Sequence, residues 1–334
     1  MTLTISLASK EDSPKWDELV VSSPHGTIFH TWKWLSIVEK HTRTRLLPLI
    51  LYKGTQIVAL YPVFIQKKRW ISVAFSPPPR AYMLYLGPVI PEYETMKLDK
   101  KESIFFQVQQ EVTRHLFSEK GCKYFRVRTS PGLFDARPLK WAGYSVDPQY
   151  TCRIRLDSGI DTVWSRFDRK LRVDINKAVK ENVDVQEGNL DDLLQLSDSL
   201  SRRFREQGAQ PHDYRDYLTD LFHAFYPEHL KIYTAFYKGE RVGGMVSLCF
   251  KQVMYLWIGI PKFDVKGISP NDLVQWEAIK WATKNGYIYY EEMAGGDDPR
   301  LRSFKSKYNP DLAIWYSATA YSSRFYKFLG KLAR

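Results

Sequence analysis

Apolar and polar positions follow the same pattern in two distant parts of the chain. Residues 46–65 and 230–250 each read as an apolar strand, a Tyr-Lys-Gly turn and a second apolar strand. In these turns, Gly54 and Gly239 tolerate the positive φ that a tight hairpin often needs. Each segment therefore predicts a β-hairpin, and their similarity indicates an internal repeat.

A helix and a strand follow each predicted hairpin. Residues 109–128 and 275–292 each contain an amphipathic helix that ends near Gly121 or Gly286, and then an aromatic strand. After a predicted helix at 161–181, the second half reads β-α-α-β-β-β-α-β-α-β. This order resembles that of the GNAT acyltransferase fold, and its occurrence twice makes the resemblance more specific. We expect an α/β protein with tandem GNAT-like domains, each a mixed, mainly antiparallel sheet flanked by helices.

The border between the repeats is predicted where Leu156-Asp157-Ser158-Gly159 interrupts the pattern. This gives an N-terminal domain at 1–157 and a C-terminal domain at 158–334. A length of 334 residues fits two domains of roughly 100–200 residues each. Hydrophobic residues make up 44% and charged residues 26%, which is typical of globular domains rather than disordered chains.

The sequence predicts a cytoplasmic protein without a transmembrane segment. No apolar run approaches the roughly 18 residues of a membrane-spanning helix, and the first residues lack the basic and apolar regions of a signal peptide. Cys122, Cys152 and Cys249 are far apart and form neither a metal-ligand cluster nor a nucleophile motif. We therefore expect reduced, partly buried thiols.

Positive charge is the strongest compositional signal. The formal net charge of +12 favours anionic partners, such as phosphorylated substrates, coenzyme A, tRNA or an anionic membrane, although plain solubility also explains it. Off the apolar stripe of the predicted helix at 161–181 lie Arg169, Lys170, Arg172 and Lys177. We predict that these four residues hold donor phosphates or tRNA; the alternative is a solvated charged face.

The loop at 264–272 is a second candidate for phosphate binding. In acetyl-CoA enzymes of the GNAT fold it reads Arg/Gln-x-x-Gly-x-Gly/Ala, and its amides bind pyrophosphate at a helix N-terminus. Here it reads DVKGISPND and keeps only Gly267. A standard coenzyme A site is therefore not expected. Ser269 or Asn271 can cap the helix that follows, and Asn271 is included among the predicted donor-binding residues.

The segment from Ala294 to Lys307 (AGGDDPRLRSFKSK) carries the main candidates for chemistry. Its paired glycines permit close approach of the backbone to a ligand. Asp297 can accept a proton or orient an amine, and an Asp cap of a tight loop is the alternative. Arg302 is a predicted phosphate contact. Lys305 is a candidate to stabilise an oxyanion, although most lysines are only solvated.

Other motifs are weak. The seven histidines have no metal-ligand spacing, and no Ser-His-Asp pattern, P-loop or Gly-x-Ser-x-Gly occurs. We therefore expect no metal, and no cofactor beyond the donor itself. Tyr255 alternates with apolar residues in a predicted strand at 252–259, so one face of that strand can line a cleft. Tyr255 and Asp297 are predicted neighbours of the acceptor amine.

Taken in order, these segments resemble the FemAB-like (FemX-type) family of peptidyltransferases and the related BioF2-like acyltransferases over nearly the whole chain. The resemblance rests on Ser23-Pro24-His25-Gly26, the basic stretch from Arg169 to Ala178 before Val183-Asp184-Val185, Ser269-Pro270-Asn271, and Gly295-Gly296 followed by Phe304-Lys305. It implies transfer of an aminoacyl group from aminoacyl-tRNA to a peptide amine, often on a cell-wall precursor. It also implies that Lys305 stabilises charge on the reacting carbonyl and on the leaving tRNA, with proton transfer assisted by the substrate.

The chain also departs from that family. It has no counterpart of the coiled-coil arm of the glycyl-type members. In the family, the strand before the two glycines usually ends in Tyr-Asp, whereas here Glu292 takes the place of the Asp. The expected partners are aminoacyl-tRNA and an amine-bearing peptide or sugar-nucleotide precursor, with acyl-CoA as the alternative donor. A non-catalytic module that binds tRNA or a glycolipid is the alternative of another class. The basic amphipathic segment at 320–334 can contact an anionic membrane, but packing on the second domain is favoured.

Overall fold

The computed structural model describes residues 3–68, 70–133, 135–206, 214–259, 265, 267–293 and 298–332. Numbered in chain order, its strands are β1 (Thr4–Leu7), β2 (Arg45–Lys53), β3 (Gln56–Lys68), β4 (Ile71–Ser76), β5 (Cys122–Arg128), β6 (Ser145–Arg155), β7 (Asp184–Glu187), β8 (Leu230–Tyr237), β9 (Glu240–Phe250), β10 (Val253–Gly259), β11 (Tyr289–Glu292) and β12 (Asp311–Tyr321).

Its helices are α1 (Ser13–Ser22), α2 (Trp32–Thr42), α3 (Leu98–Arg114), α4 (Arg137–Trp141), α5 (Ile160–Arg166), α6 (Arg169–Lys180), α7 (Leu190–Glu206), α8 (Arg215–Phe225), α9 (Pro270–Lys284), α10 (Pro299–Ser306) and α11 (Arg324–Leu332). Among the described residues, no helix combines the length and the apolar character that crossing a membrane requires.

The chain divides into two compact units. Unit 1 consists of Met1–Gln149 and Ile314–Arg334, and unit 2 consists of Tyr150–Ala313. This division differs from the predicted domains, 1–157 and 158–334, at both ends of the second domain. The partner of a strand is set by long-range pairing. The hydrophobic pattern of the sequence therefore did not reveal which unit β6 and β12 belong to.

Unit 1 is built on a mainly antiparallel sheet with the strand order β1-β2-β3-β4-β5-β12. Its neighbouring strands are antiparallel except for β4 and β5, which run parallel. The apolar face of α3, with Phe105, Val108 and Val112, packs into the core on this sheet. Tyr316 and Ala318 of β12 belong to the same core, which explains why the end of the chain groups with unit 1.

Unit 2 repeats this arrangement with the order β6-β11-β10-β9-β8-β7. Here β10 and β11 are the parallel pair, and the other neighbours are antiparallel. Helices α6 and α9 bury their apolar faces in one core, through residues such as Leu171, Ile175, Leu273 and Ile279. The two hairpins predicted from the Tyr-Lys-Gly turns are β2–β3 and β8–β9, so the predicted repeat is confirmed.

One predicted helix is in fact two. The continuous helix expected at 161–181 breaks at Phe167 and Asp168 into α5 and α6. Phe167 is buried, with its ring 5.2 Å from that of Tyr308, and the Asp168 N–H donates to the Lys307 carbonyl at 2.9 Å. Phe167 is extended and ends α5, and Asp168 is the N-cap residue of α6.

Candidate active site

The two parallel strands of unit 2 define the place where the candidate site lies. They are paired from Val253 and Tyr289 as far as Leu256 and Glu292. Strand β11 ends there, whereas β10 continues along β9 to Gly259 after a bulge beyond Leu256. The two parallel strands therefore separate at their carboxyl ends, at Glu292, next to the first turns of α9. The carboxyl ends of parallel strands commonly hold functional groups.

Glu291 and Glu292 end β11 on opposite faces of the sheet, because side chains alternate along a strand. Both side chains are fully buried. Glu291 accepts hydrogen bonds from Arg153 Nε at 2.8 Å and from Thr151 Oγ1 at 3.1 Å. These contacts tie β11 to β6, and so Glu291 has a structural role within unit 2.

Glu292 has a different environment on the face that α9 covers. Its Oε1 accepts a hydrogen bond from Gln275 Nε2 of α9. Its Oε2 is buried and has no hydrogen-bond partner in the part of the chain that the structure describes. Because burial disfavours the charged form, the pKa of Glu292 rises to about 7, against the opposing attraction of Lys305.

Lys305 brings a cation to the same place. It lies on α10 and its side chain is only 5% exposed. Its Nζ donates to the carbonyl oxygens of Glu292 at 2.7 Å and Met293 at 3.0 Å. An ammonium has three N–H groups, and within the described residues the third has no partner. Burial lowers the pKa of Lys305, and the charge of Glu292 counteracts this.

A second acid and a second lysine connect α10 to α9. Asp272, in the first turn of α9, accepts hydrogen bonds from Lys307 Nζ at 2.7 Å and from the Tyr308 hydroxyl at 3.1 Å. The ring of Phe304 lies 4.5 Å from Lys307 Nζ. Asp272 thus has its partners within the chain, and it fixes the end of α10 that positions Lys305.

The predicted donor-binding residues are spread around this cluster. Arg169 and Lys170 are exposed at the start of α6, next to the Asp168–Lys307 hydrogen bond, and Arg302 is exposed on α10. Arg172, on α6, is half-buried. Lys177 lies at the loop before α9, because a Cβ added to Gly267 would be 3.1 Å from its Nζ.

Asn271 is turned towards the sheet. Its Oδ1 accepts a hydrogen bond from the Gly244 N–H of β9 at 3.2 Å. A Cβ added to the neighbouring Gly243 would lie 2.6 Å from the same oxygen. This contact packs α9 on β9, and it places the side-chain oxygen of Asn271 away from the loop that was expected to bind phosphate.

Two predicted acceptor-side residues have other outcomes. Tyr255 is buried in β10 and stands in register with Glu291, so its side chain lies on the opposite face of the sheet from Glu292. Asp297 lies outside the described residues, and its role stays a prediction.

Sequence reasoning did not identify Gln275 or Asp272. The signal that could have found them is the spacing of three between these polar residues on the buried face of α9.

The cysteine thiols of the described residues are held towards their neutral form. Cys122 and Cys249 are buried, and burial raises the pKa of each thiol to about 11. The described residues contain no group of three or more His, Cys, Asp or Glu side chains arranged to hold a metal ion.

Comparison with known proteins places this geometry in context. Residues 165–306 match the family model described as acetyltransferase (GNAT) domain. No curated protein matches the sequence. Among solved structures, FemX matches with a TM-score of 0.71 at 11% identity, over 94% of this chain and 96% of the other.

Two further structures share the fold. A tandem GNAT protein from the clavulanic acid biosynthesis pathway matches with a TM-score of 0.58 at 9% identity, over 96% of this chain and 99% of the other. The C-terminal domain of a putative lysylphosphatidylglycerol synthetase from Agrobacterium fabrum matches with a TM-score of 0.56 at 12% identity, over 96% and 94%. The fold implied by the resemblance to FemX-type proteins is thus confirmed: residues 165–306 match an acetyltransferase (GNAT) domain, and the chain has the tandem fold seen in FemX.

Proposed function

We propose that the protein transfers an aminoacyl group from aminoacyl-tRNA to an amine of a peptide or cell-envelope precursor, at the cluster formed by Lys305 and Glu292. One observation carries this proposal. A buried ammonium and a buried carboxylate lie together at the parting of β10 and β11, and each keeps a bonding position without a partner among the described residues.

Lys305 is the residue that stabilises negative charge. When an amine attacks the ester carbonyl, its oxygen becomes an oxyanion, and a buried cation held in place by two carbonyls needs little reorganisation to meet it. The hydrogen bonds to Glu292, the last residue of β11, and to Met293 directly after it fix the direction of the side chain. We expect the third N–H of Lys305 to donate to the oxyanion.

Glu292 is the candidate base. An acceptor amine must lose a proton as its nitrogen bonds to the carbonyl carbon and the bond to the tRNA ribose oxygen breaks. A carboxylate with a pKa of about 7 is suited to take this proton near neutral pH and return it to the leaving oxygen. This role replaces the substrate-assisted proton transfer that the family resemblance implies.

The choice of donor is supported by charge and by similarity. Arg169, Lys170 and Lys177 are exposed on α6 of the same unit, where they can meet the phosphates of a tRNA acceptor arm. Of the similar structures, one is FemX and another is named for lysyl transfer to phosphatidylglycerol, which is the attachment of an aminoacyl group.

Acyl-CoA is the second candidate donor. Gly267 has a φ of +74° in the loop before α9, and Lys177 Nζ lies beside it at the N-terminal end of that helix. Backbone amides and a cation at a helix N-terminus suit a pyrophosphate. The family model that matches this unit is that of an acetyltransferase (GNAT) domain.

The test is transfer of a labelled aminoacyl group from aminoacyl-tRNA to a panel of amine-bearing peptides and sugar-nucleotide peptides. We expect Lys305→Met to lower the rate by about 10²–10³-fold, and Glu292→Gln to lower it by about 10²–10⁴-fold. Glu291→Gln is the matched control, because it is the neighbouring, equally buried acid with a structural partner. It should keep the pH profile of the unchanged protein.

Each other outcome has a distinct meaning. Transfer from acetyl-CoA but not from aminoacyl-tRNA would select the second donor. Full activity in folded Lys305→Met would remove Lys305 from the mechanism. Binding of tRNA without transfer from either donor would favour the non-catalytic module.

A further inference from the structure

One end of the unit 1 sheet gathers three chain segments. Strands β4 and β5 begin there, with Ser72 opposite Cys122, and β12 ends there, with Tyr321 opposite Tyr124. The turn before β4 and the helix α11 after β12 therefore leave the sheet at the same end. Neighbouring strands are about 4.8 Å apart, so these two segments start within about 10 Å of each other.

Helix α11 presents an apolar stripe to solvent. Phe325, Phe328 and Leu329 are 63%, 59% and 42% exposed, and their spacing places them on one face of the helix. The helix is docked by a different side, because a Cβ on Gly330 would lie 2.6 Å from the Tyr321 hydroxyl oxygen. The sequence favoured packing of this segment on the second domain, whereas α11 groups with unit 1 and these three apolar side chains are exposed.

The turn between β3 and β4 adds a second apolar group. Trp70 is 96% exposed, and it directly precedes β4. A tryptophan in this position buries no area in the unit, so it contributes nothing to the core of the fold. Tryptophan is the residue that concentrates at the boundary between lipid headgroups and acyl chains.

Cations surround both apolar groups. Lys67 and Lys68 are exposed at the end of β3, and Arg324 and Lys327 are exposed on α11. Lys123 at the start of β5 has its Nζ 5.6 Å from the ring of Tyr326 on α11. No acidic residue occurs between Tyr321 and the end of the chain at Arg334. The exposed acid near the start of β5, Glu119, is bound to Arg114 at 2.8 Å.

We propose that this end of unit 1, formed by the Trp70 turn and α11, binds the surface of a bilayer that contains anionic phospholipid. An amphipathic helix with aromatic and leucine side chains on one face and lysine and arginine beside them lies in the plane of such a surface. The apolar side chains enter the region below the headgroups, and the cations meet the lipid phosphates. This inference is separate from the proposed transfer reaction.

The surface fits a bilayer better than a nucleic acid. Both attract the same cations, but single-stranded nucleic acid is held by aromatic rings that stack with bases along a groove. Here Leu329 and two phenylalanines form an exposed stripe on one face of α11, and their burial requires an apolar phase. RNA binding at this surface is the competing outcome in the test.

Sedimentation of the full chain with vesicles tests the proposal. The vesicles are phosphatidylcholine alone or phosphatidylcholine mixed with phosphatidylglycerol. We expect binding to the mixed vesicles, weakened by added salt, and little binding to the neutral ones. The double substitution Phe325→Ser and Phe328→Ser should reduce the partition coefficient by more than ~10-fold, and Trp70→Ser, on a separate element, should reduce it by several-fold.

Val173→Ser is the matched control, since Val173 is 55% exposed on a helix of unit 2 and should leave vesicle binding unchanged. The altered residues are exposed, so the variants should fold, which circular dichroism checks. Failure of the unchanged chain to bind the mixed vesicles would overturn the proposal. The proposal would also be overturned if the phenylalanine and tryptophan variants bound the mixed vesicles as strongly as the parent does. A third contradicting result would be that the parent does not bind vesicles and the variants lose tRNA binding.

Discussion

Glu291 and Glu292 show how far two neighbouring residues of one type can differ. Both are fully buried, but Glu291 has Arg153 and Thr151 as partners, whereas one oxygen of Glu292 has none among the described residues. A buried charge without a full set of partners is costly, so it shifts its pKa towards the neutral form. The same cost makes Glu292 a useful proton acceptor near neutral pH.

The stability of the protein should therefore depend on pH through Glu292. Burial raises the pKa of this carboxyl from 4.5 to about 7, so the folded state binds the proton more tightly than the unfolded state. Its contribution is complete below about pH 4.5 and is lost as the pH rises through about 7. As the pH rises from 5 to 8, the free energy of unfolding of Glu292→Gln should increase relative to that of the parent by up to about 3 kcal/mol.

Urea unfolding of both proteins at the two pH values measures this difference. The nearby ammonium of Lys305 makes the value an upper bound, because Glu292→Gln also removes its counter-charge. An equal stability difference at both pH values would show that Glu292 titrates in its ordinary range in the folded protein.

At the residue scale, the sequence predicted one half of the cluster. Lys305 was found because it follows Phe304 in a segment that resembles a family ending. Glu292 could be seen only as a carboxylate at the end of a strand, since its burial and its contact with Gln275 depend on packing across α9. Tyr255 lies in the strand that the sequence predicted, but the structure shows its side chain on the face of the sheet opposite to Glu292.

At the scale of elements, α9 matters most because it carries Asp272 and Gln275 to the candidate site. The helix ends at Lys284, in agreement with the end predicted near Gly286, and Pro270 at its start suits the first turn of a helix. The break between α5 and α6 could not be predicted in the same way. It depends on Phe167 and Asp168 contacting residues more than a hundred positions later.

The closeness of α9 to β9 depends on the absence of a side chain at Gly243. A Cβ there would lie 2.6 Å from Asn271 Oδ1, so in Gly243→Ala the Asn271 side chain must shift and give up its hydrogen bond from the Gly244 N–H, which holds the start of α9 on β9. We expect a loss of about 1–3 kcal/mol in stability and a fall in transfer rate. Gly259→Ala is the control, because a Cβ at Gly259 meets nothing within 4 Å. Equal melting temperatures for the two variants would contradict this account of α9.

At the scale of the whole molecule, the end of the chain completes unit 1. Ser317 to Tyr321 of β12 pair with Arg128 to Tyr124 of β5, and Tyr316 and Ala318 lie in the core of that unit. The sequence predicted two similar domains in succession, which is correct for their fold. It did not show that the chain from Ile314 onward, with most of β12, joins the first unit, because strand pairing over such a distance leaves no local pattern.

Removal of β12 should therefore damage unit 1. A chain that ends at Ala313 loses the partner of β5 and exposes its edge, so we expect unit 1 to become sensitive to proteolysis and prone to aggregate. A chain that ends at Ser323 keeps β12 and loses only α11, and it should melt near the temperature of the full chain. Limited proteolysis and thermal melting of the two truncated chains test this. Equal stability of both would mean that β12 is dispensable.

The central claim is that an aminoacyl-tRNA is the donor at the Lys305–Glu292 cluster, and ligand-induced thermal stabilisation tests it most directly. A ligand that binds only the folded state stabilises it by RT ln(1 + [L]/Kd). The melting temperature is measured with charged tRNA, uncharged tRNA and acetyl-CoA, for the parent and for Lys305→Met. The account predicts a larger rise with charged than with uncharged tRNA, and loss of that difference in Lys305→Met. A rise with acetyl-CoA and none with either tRNA would contradict it.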